Sequence, residues 1–274
     1  MIVFQSKPNP NAKWIDARFY LMDVEEGKRR YDEEHIAGAI YWDVERHLSN
    51  MTSDLGRHPL PSKEAFTTLY RESGFELDDE IVIYDDAISG GASRAYWSLR
   101  YGGFQNVVIA RESFEQLKEL GYETASEPTV VTPSHVVPSF DESILAMTED
   151  VERVVAKEER ATLIDARAYD RYLGEREPID PVKGRIPSAL SFDWERLINH
   201  ETGQFSLEQE DEFLKLVSKE EPIIVYCGSG VSAASLFAML THYGFTNVRL
   251  YAGSFSCWIR GDRPIATGEW SERE

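Results

Sequence analysis

Leu163-Ile164-Asp165-Ala166-Arg167 repeats a stretch met near the start of the chain, Trp14-Ile15-Asp16-Ala17-Arg18. The echo continues downstream. His35-Ile36-Ala37-Gly38-Ala39-Ile40-Tyr41-Trp42-Asp43 is answered 150 positions later by Arg185-Ile186-Pro187-Ser188-Ala189-Leu190-Ser191-Phe192-Asp193. Two apolar runs follow, Ile81-Val82-Ile83-Tyr84 and Ile223-Ile224-Val225-Tyr226, each leading through a loop into a helical pattern. Both copies then close on Gly-Phe-x-Asn-Val, at 103–107 and 244–248. Matched segments in one order are the mark of an internal duplication. Prolines at 128, 133 and 138 interrupt both patterns and place the junction there. The division expected is 1–127, a linker over 128–142, and 143–274.

Within each copy, short β-branched runs alternate with helical periodicity, which predicts an α/β fold. In the second copy the expected elements are a helix over 149–158 capped by Thr148, a strand over 162–165 and a helix over 206–219. A strand over 222–226, a helix over 233–243 and a strand over 248–251 follow. Strands joined by crossover helices imply a mainly parallel sheet flanked by helices in each domain.

Composition narrows the function. The 274 residues carry a formal net charge of −19. Residues 1–140 hold 14 basic and 23 acidic side chains, so the excess is spread evenly along the chain. Such a background disfavours nucleic acid and anionic membrane as partners. No apolar run approaches a membrane span, and the first residues lack the pattern of a leader. Two cysteines, Cys227 and Cys257, exclude a disulfide framework, offer no zinc-ligand spacing and suit a reducing cytoplasm.

The chemistry-bearing segment is Cys227-Gly228-Ser229-Gly230-Val231-Ser232, between the run ending at Tyr226 and the helix opening at Ala233. Glycines at 228 and 230 allow the backbone to curl, so that several N–H groups converge into an anion-binding nest. The following helix adds positive potential, which favours a thiolate on Cys227 and makes it a nucleophile. The first copy carries Asp85 at the matching strand end. A carboxylate is no substitute for a thiol nucleophile, so that copy reads as catalytically silent. A cysteine phosphatase would need an arginine closing the loop, where Ala233 stands.

Two tandem repeats with Asp-Ala-Arg after a strand, a His-Ile-Pro-Gly-Ala-like segment and a strand-end cysteine loop resemble the rhodanese-type sulfurtransferases over nearly the whole chain. The loop is similar to the Cys-Gly-Ser-Gly-Val-Thr loop of the 3-mercaptopyruvate branch. Thiosulfate-preferring members carry Arg and Lys where Gly228 and Ser229 stand. The resemblance implies two tandem rhodanese-like domains, the first silent and walling a cleft. It implies a sulfurtransferase that loads sulfur from a small-molecule donor onto Cys227 and passes it to a thiol such as thioredoxin or a low-molecular-weight thiol, or to cyanide. A thiosulfate-preferring enzyme and a non-turnover persulfide carrier are the alternatives. No cofactor or metal is implied, and a monomer is expected.

The resemblance also nominates residues around Cys227. Arg171 matches the family's substrate-binding arginine, and its guanidinium suits a carboxylate. Arg176, Arg185 and Arg94 are further candidates: Arg176 is near in sequence, Arg185 replaces the usual histidine, and Arg94 begins the helix after the silent loop. His58, in Gly56-Arg57-His58-Pro59, matches a histidine that the family places near the active cysteine. With Ser229 and an acid, Asp43 or Glu45, it would handle protons. Arg18 and Arg167 read as braces of their own domains. His35, His47, His135, His200 and His242 read as structural. Cys257 reads as a packed residue, with a resolving thiol as the alternative. Ser188 and Phe255 depart from the family's glycine and tryptophan.

Overall fold

The structure is a computed structural model that describes residues 2–86, 90–199, 201–202, 204–205 and 217–270. The chain forms two compact units. The first takes in Met1–Asn50 and Leu60–Glu142, with Ile198–Phe205. The second takes in Ser143–Leu197 and Ser206–Glu274, with Met51–Pro59. No helix among the described residues is long and apolar enough to cross a membrane.

In the first unit a parallel sheet runs in the order Phe4–Gln5, Val107–Ala110, Ile81–Tyr84, Lys13–Asp16, Ala39–Tyr41. In the second, Leu145–Ala146, Val248–Tyr251, Ile223–Tyr226, Thr162–Asp165 and Leu190–Ser191 follow one another in the same way. The register agrees as well, since Asp16 pairs with Tyr84 and Asp165 with Tyr226. The central strands, Ile-Val-Ile-Tyr and Ile-Ile-Val-Tyr, are buried at every position. A strand covered on both faces by helices has no solvated side, which is why these runs read as continuous apolar stretches.

The expected helix near 149–158 occupies Thr148–Val155, and Met147 rather than Thr148 is the residue that caps it. Asp150 reaches back to accept the Met147 N–H at 2.7 Å, so the helix begins one residue early. The Thr148 hydroxyl is instead 2.9 Å from the Tyr251 hydroxyl. At the far end Lys157 turns left-handed at φ 62°, which stops the helix short of 158. The strand expected before the cysteine loop and the helix expected after it fall at Ile223–Tyr226 and Ala233–His242. The helix expected over 206–219 falls, from 206 to 216, outside the described residues, as does His200.

The segment expected to link the copies is tied to the first unit. Ser134 donates its N–H to the Arg71 carbonyl, Ser139 to Gly102 and Asp141 to Tyr101. Arg71 Nε donates to the Val136 carbonyl at 2.9 Å. These main-chain bonds make residues 134–141 part of that unit's surface.

One buried ion pair recurs in each unit. Asp16 accepts the Arg18 backbone N–H, Nε and Nη2, together with the Tyr84 hydroxyl at 2.7 Å. Asp165 receives the same three donors from Arg167. Each guanidinium also donates to a carbonyl, Arg18 to Glu34 and Arg167 to Gly184. Each lies over a ring, Arg18 4.4 Å from Phe114 and Arg167 4.0 Å from Phe255. Phe255 thus fills the place expected of tryptophan. Burial pushes the Asp16 carboxyl up, against the opposing pull of Arg18. Asp16→Ala leaves a buried arginine with most of its donors unanswered. The expected cost is about 3–5 kcal/mol in urea unfolding; a loss below about 1 kcal/mol would contradict the brace.

Candidate active site

The cysteine loop belongs to the second unit and leaves the sheet at its most buried strand. Tyr226 is held beside Asp165 by register, so Cys227 emerges at a fixed height. The Cys227 thiol is buried. Three hydrogen bonds from the loop's main chain then anchor it to the segment 251–258. Cys227 N–H donates to the Ser254 hydroxyl at 3.1 Å. The Cys227 carbonyl accepts from Phe255 N–H at 3.0 Å, and the Gly228 carbonyl from Ser256 N–H at 2.8 Å. With those carbonyls held on one side, the Gly230 N–H meets the Cys227 sulfur at 3.1 Å. That is one donor of the expected nest, aimed at the atom that would carry negative charge.

Each glycine has a separate reason. Gly230 takes φ +79°, and a Cβ there would fall 2.3 Å from the Ala252 carbonyl oxygen. At Gly228 a Cβ would fall 2.3 Å from Arg57 Nη2 and 3.4 Å from Arg171 Nη2. The first glycine serves the backbone; the second makes room for two guanidiniums. Ser254, also left-handed at φ 53°, donates its hydroxyl to the Tyr251 carbonyl while accepting the Cys227 N–H. This double bond pattern holds a strained residue in place behind the thiol.

Arg171 lies on the short helix Tyr169–Leu173. Its Nε and Nη2 grip Glu177 at 3.0 and 2.8 Å, and Nη2 also reaches Asp180 at 3.2 Å. Asp180 takes Arg57 through Nε at 2.9 Å. Glu177 further holds Arg167 Nη1 at 3.3 Å. Burial would raise the Glu177 carboxyl, but Arg171 and the N–H groups of Asp180 and Ile179 hold it below its ordinary range. The next residue along the 51–59 segment is His58, whose Nδ1 is 2.8 Å from the Ser229 hydroxyl, both residues being buried. Cys227, Gly228, Ser229, Gly230, His58 and Arg171 are therefore gathered in one place, as expected of them. Val231 is buried beside them, and Ser232 stands at the start of the helix Ala233–His242.

The other nominated residues have different surroundings. Arg176 is 71% exposed and pairs at 3.5 Å with Asp170. Arg185 is fully buried, with Nη1 on the Gly268 carbonyl at 2.6 Å and its guanidinium over the Tyr172 ring. In the first unit, Arg94 is buried with Nη2 on the Leu48 carbonyl. Asp43 accepts the N–H groups of Glu45 and Arg46, and burial and the Asp43 charge push the Glu45 carboxyl up. Asp85 spends its carboxylate on the Ala92 N–H at 2.8 Å, at the start of the helix Gly91–Tyr101. An internal anion thus occupies that helix terminus in the copy without cysteine. Ser188 adopts φ 62°, as Gly38 adopts φ 83° at the matching place, which explains the glycine expected there.

Sequence reasoning overlooked Arg57, Asp180 and Ser254. Arg57 adjoins a nominated histidine, and Glu177 and Asp180 follow Arg171 closely, so clustered opposite charges were the available signal.

A duplicated parallel-sheet unit bearing a strand-end thiol in one copy and a carboxylate in the other defines a two-domain α/β protein with a single cysteine loop. Residues 5–120 and 147–260 each match the rhodanese-like domain, and the chain belongs to that family. It is 34% identical to the 3-mercaptopyruvate sulfurtransferase of Escherichia coli K12, over 94% of this chain and 92% of that one. It is 28% identical to a thiosulfate sulfurtransferase of Rattus norvegicus, over 94% of this chain and 88% of the other. The crystal structure of an Escherichia coli protein described as a 3-mercaptopyruvate sulfotransferase superposes with a TM-score of 0.77 at 30% identity, covering 90% of this chain and 94% of that one.

Gly244 shares the left-handed backbone of Gly230 (φ +82°), but its Cβ direction is open apart from Lys219 Nζ at 3.8 Å. Both alanine variants therefore carry the left-handed penalty of about 1–2 kcal/mol. Only Gly230→Ala adds the collision with Ala252, and it should unfold at lower urea than Gly244→Ala. Equal midpoints would contradict the tight loop.

Proposed function

We propose that this chain is a sulfurtransferase that takes sulfur from 3-mercaptopyruvate onto Cys227. The observation that carries this reading is the Cys227 sulfur facing the Gly230 N–H, in a loop whose Gly228 lies under the Arg57 and Arg171 guanidiniums. A thiolate at that place meets a donor N–H that stabilises charge on sulfur before and after transfer. Family membership, and relatives named for this activity, support the same assignment.

The Cys227 thiolate attacks the sulfur of the donor, the carbon–sulfur bond breaks, and its electron pair leaves on carbon as the enolate of pyruvate. The proton of the donor thiol moves to the enolate carbon, so the products are pyruvate and a Cys227 persulfide anion. The hydrogen-bonded His58 and Ser229 pair carries that proton. An acceptor thiol, thioredoxin or a small thiol, then attacks the outer sulfur; the S–S bond breaks and the Cys227 thiolate is restored. Cyanide serves as an acceptor in an assay. The mechanism calls on no metal or organic cofactor, and a cytoplasmic monomer with both thiols reduced suits it. Arg185 and Arg176 act as scaffold and surface residues.

Incubation with 3-mercaptopyruvate should add about 32 Da, one sulfur, to the intact chain, and a thiol should then remove it over many turnovers. A chain that stops at one sulfur is a carrier, and one that gains none refutes the reading. Thiosulfate as the better donor would reassign the substrate. His58→Ala should lower turnover by about 10²–10⁴; a loss under about twofold removes it from proton transfer.

A further inference from the structure

We infer that Arg57, which comes from outside the cysteine loop and lies far from Arg171 in sequence, is a specificity-determining residue that grips the anionic end of the sulfur donor together with Arg171. The inference rests on the proposed sulfur transfer to Cys227 and deepens it by naming what recognises the donor's carboxylate.

Two guanidiniums converge on the residue next to the thiol. The space that a side chain at 228 would fill is bounded by Arg57 Nη2 at 2.3 Å and Arg171 Nη2 at 3.4 Å. A single oxygen, Asp180 Oδ2, receives both of those nitrogens, at 3.3 and 3.2 Å. Asp180 is buried, so the meeting point is fixed from inside the protein. The backbone is fixed too, because the Arg57 N–H donates to the Ser256 hydroxyl at 3.0 Å. Ser256 in turn donates its own N–H to the Gly228 carbonyl. Arg57 is thus tied to the loop through Ser256 at its main chain and to Asp180 through its side chain.

These carboxylates orient the arginines without exhausting them. Among the described residues, the bonds to Glu177 and Asp180 use Nε and Nη2 and leave Nη1 of both Arg57 and Arg171 without a partner. The side chains of Arg57 and Arg171 remain 24% and 14% exposed, so an incoming anion can reach them. Arg57 and Arg171 already face two carboxylates, so the attraction comes from preorganised donors more than from excess positive charge. A planar carboxylate held there lies beside Gly228, one residue from Cys227, whose sulfur makes the attack. Glycine at 228 and arginine at 57 form one device: the loop gives up a side chain, and a guanidinium from elsewhere takes its space. A methyl group at 228 would push Arg57 away.

The test compares 3-mercaptopyruvate with its neutral analogue 1-mercaptopropan-2-one, in wild type, Arg57→Met and Arg57→Lys. Persulfide formation on Cys227 is followed by intact mass, and initial rates give KM and kcat. Losing a charge-assisted hydrogen bond to the donor should raise KM for 3-mercaptopyruvate about 10- to 100-fold in Arg57→Met. The effect should be smaller in Arg57→Lys, and both variants should match wild type on the neutral donor. Equal losses on both donors would assign Arg57 a purely structural role, and no loss on either would remove it from recognition. In each case the proposal is overturned while sulfur transfer by the wild type stands. A wild type that gains no sulfur from either donor overturns the transfer reading, and this assignment with it.

Discussion

The Asp165–Arg167 ion pair is the interaction on which the second unit's chemistry depends. It sits where the strand Thr162–Asp165 pairs with the strand Ile223–Tyr226, next to the residue that precedes Cys227. From there a relay of opposite charges runs outward: Arg167 to Glu177, Glu177 to Arg171, Arg171 to Asp180, Asp180 to Arg57. The inner members Glu177, Arg171 and Asp180 each bond two partners, so removing one of them leaves neighbouring charges less well compensated. Arg57 ends the relay, and its loss leaves Asp180 paired with Arg171. The sheet and the guanidiniums beside the thiol are therefore one structure. In a protein with a net charge of −19, these internal acids fix where the arginines beside the thiol point.

The two units differ little up to their strand-end loops. Both keep the Asp–Arg brace, the all-buried central strand and the same strand order. They part at the residue after that strand. In the first unit Asp85 supplies the carboxylate that the following helix terminus attracts. In the second, Cys227 meets an N–H of its own loop, and the Arg57 and Arg171 guanidiniums stand beside Gly228. One copy has internalised its anion, and the other sets a thiol there instead.

Duplicated local patterns made the fold legible. Asp-Ala-Arg after a strand, the paired apolar runs and the strand-end glycine loop each follow from short-range physics, and each reappears in the structure at the matching position. The cysteine and the neighbourhood of His58, Ser229 and Arg171 were legible for the same reason, with the family resemblance adding the roles. Long-range compensation was not legible. Nothing local to Arg57 marks it as a partner of Asp180, 123 residues away. Arg185 looked like a site residue because it stands in a motif, yet its guanidinium lies over Tyr172. Thr148 looked like a helix cap until Asp150 bound the N–H before it. For Arg57 and Arg185 the partner lay outside the window from which the pattern was read, whereas for Thr148 it lay in the same helical turn.

The central claim is that Cys227 alone is the working thiol of a duplicated fold. The most direct measurement is peptide mapping after a single loading with 3-mercaptopyruvate, in wild type, Cys227→Ala and Cys257→Ala. The account predicts one added sulfur on the peptide bearing Cys227 in wild type and in Cys257→Ala, and none anywhere in Cys227→Ala. Sulfur on Cys257, or loading that survives the loss of Cys227, would contradict it.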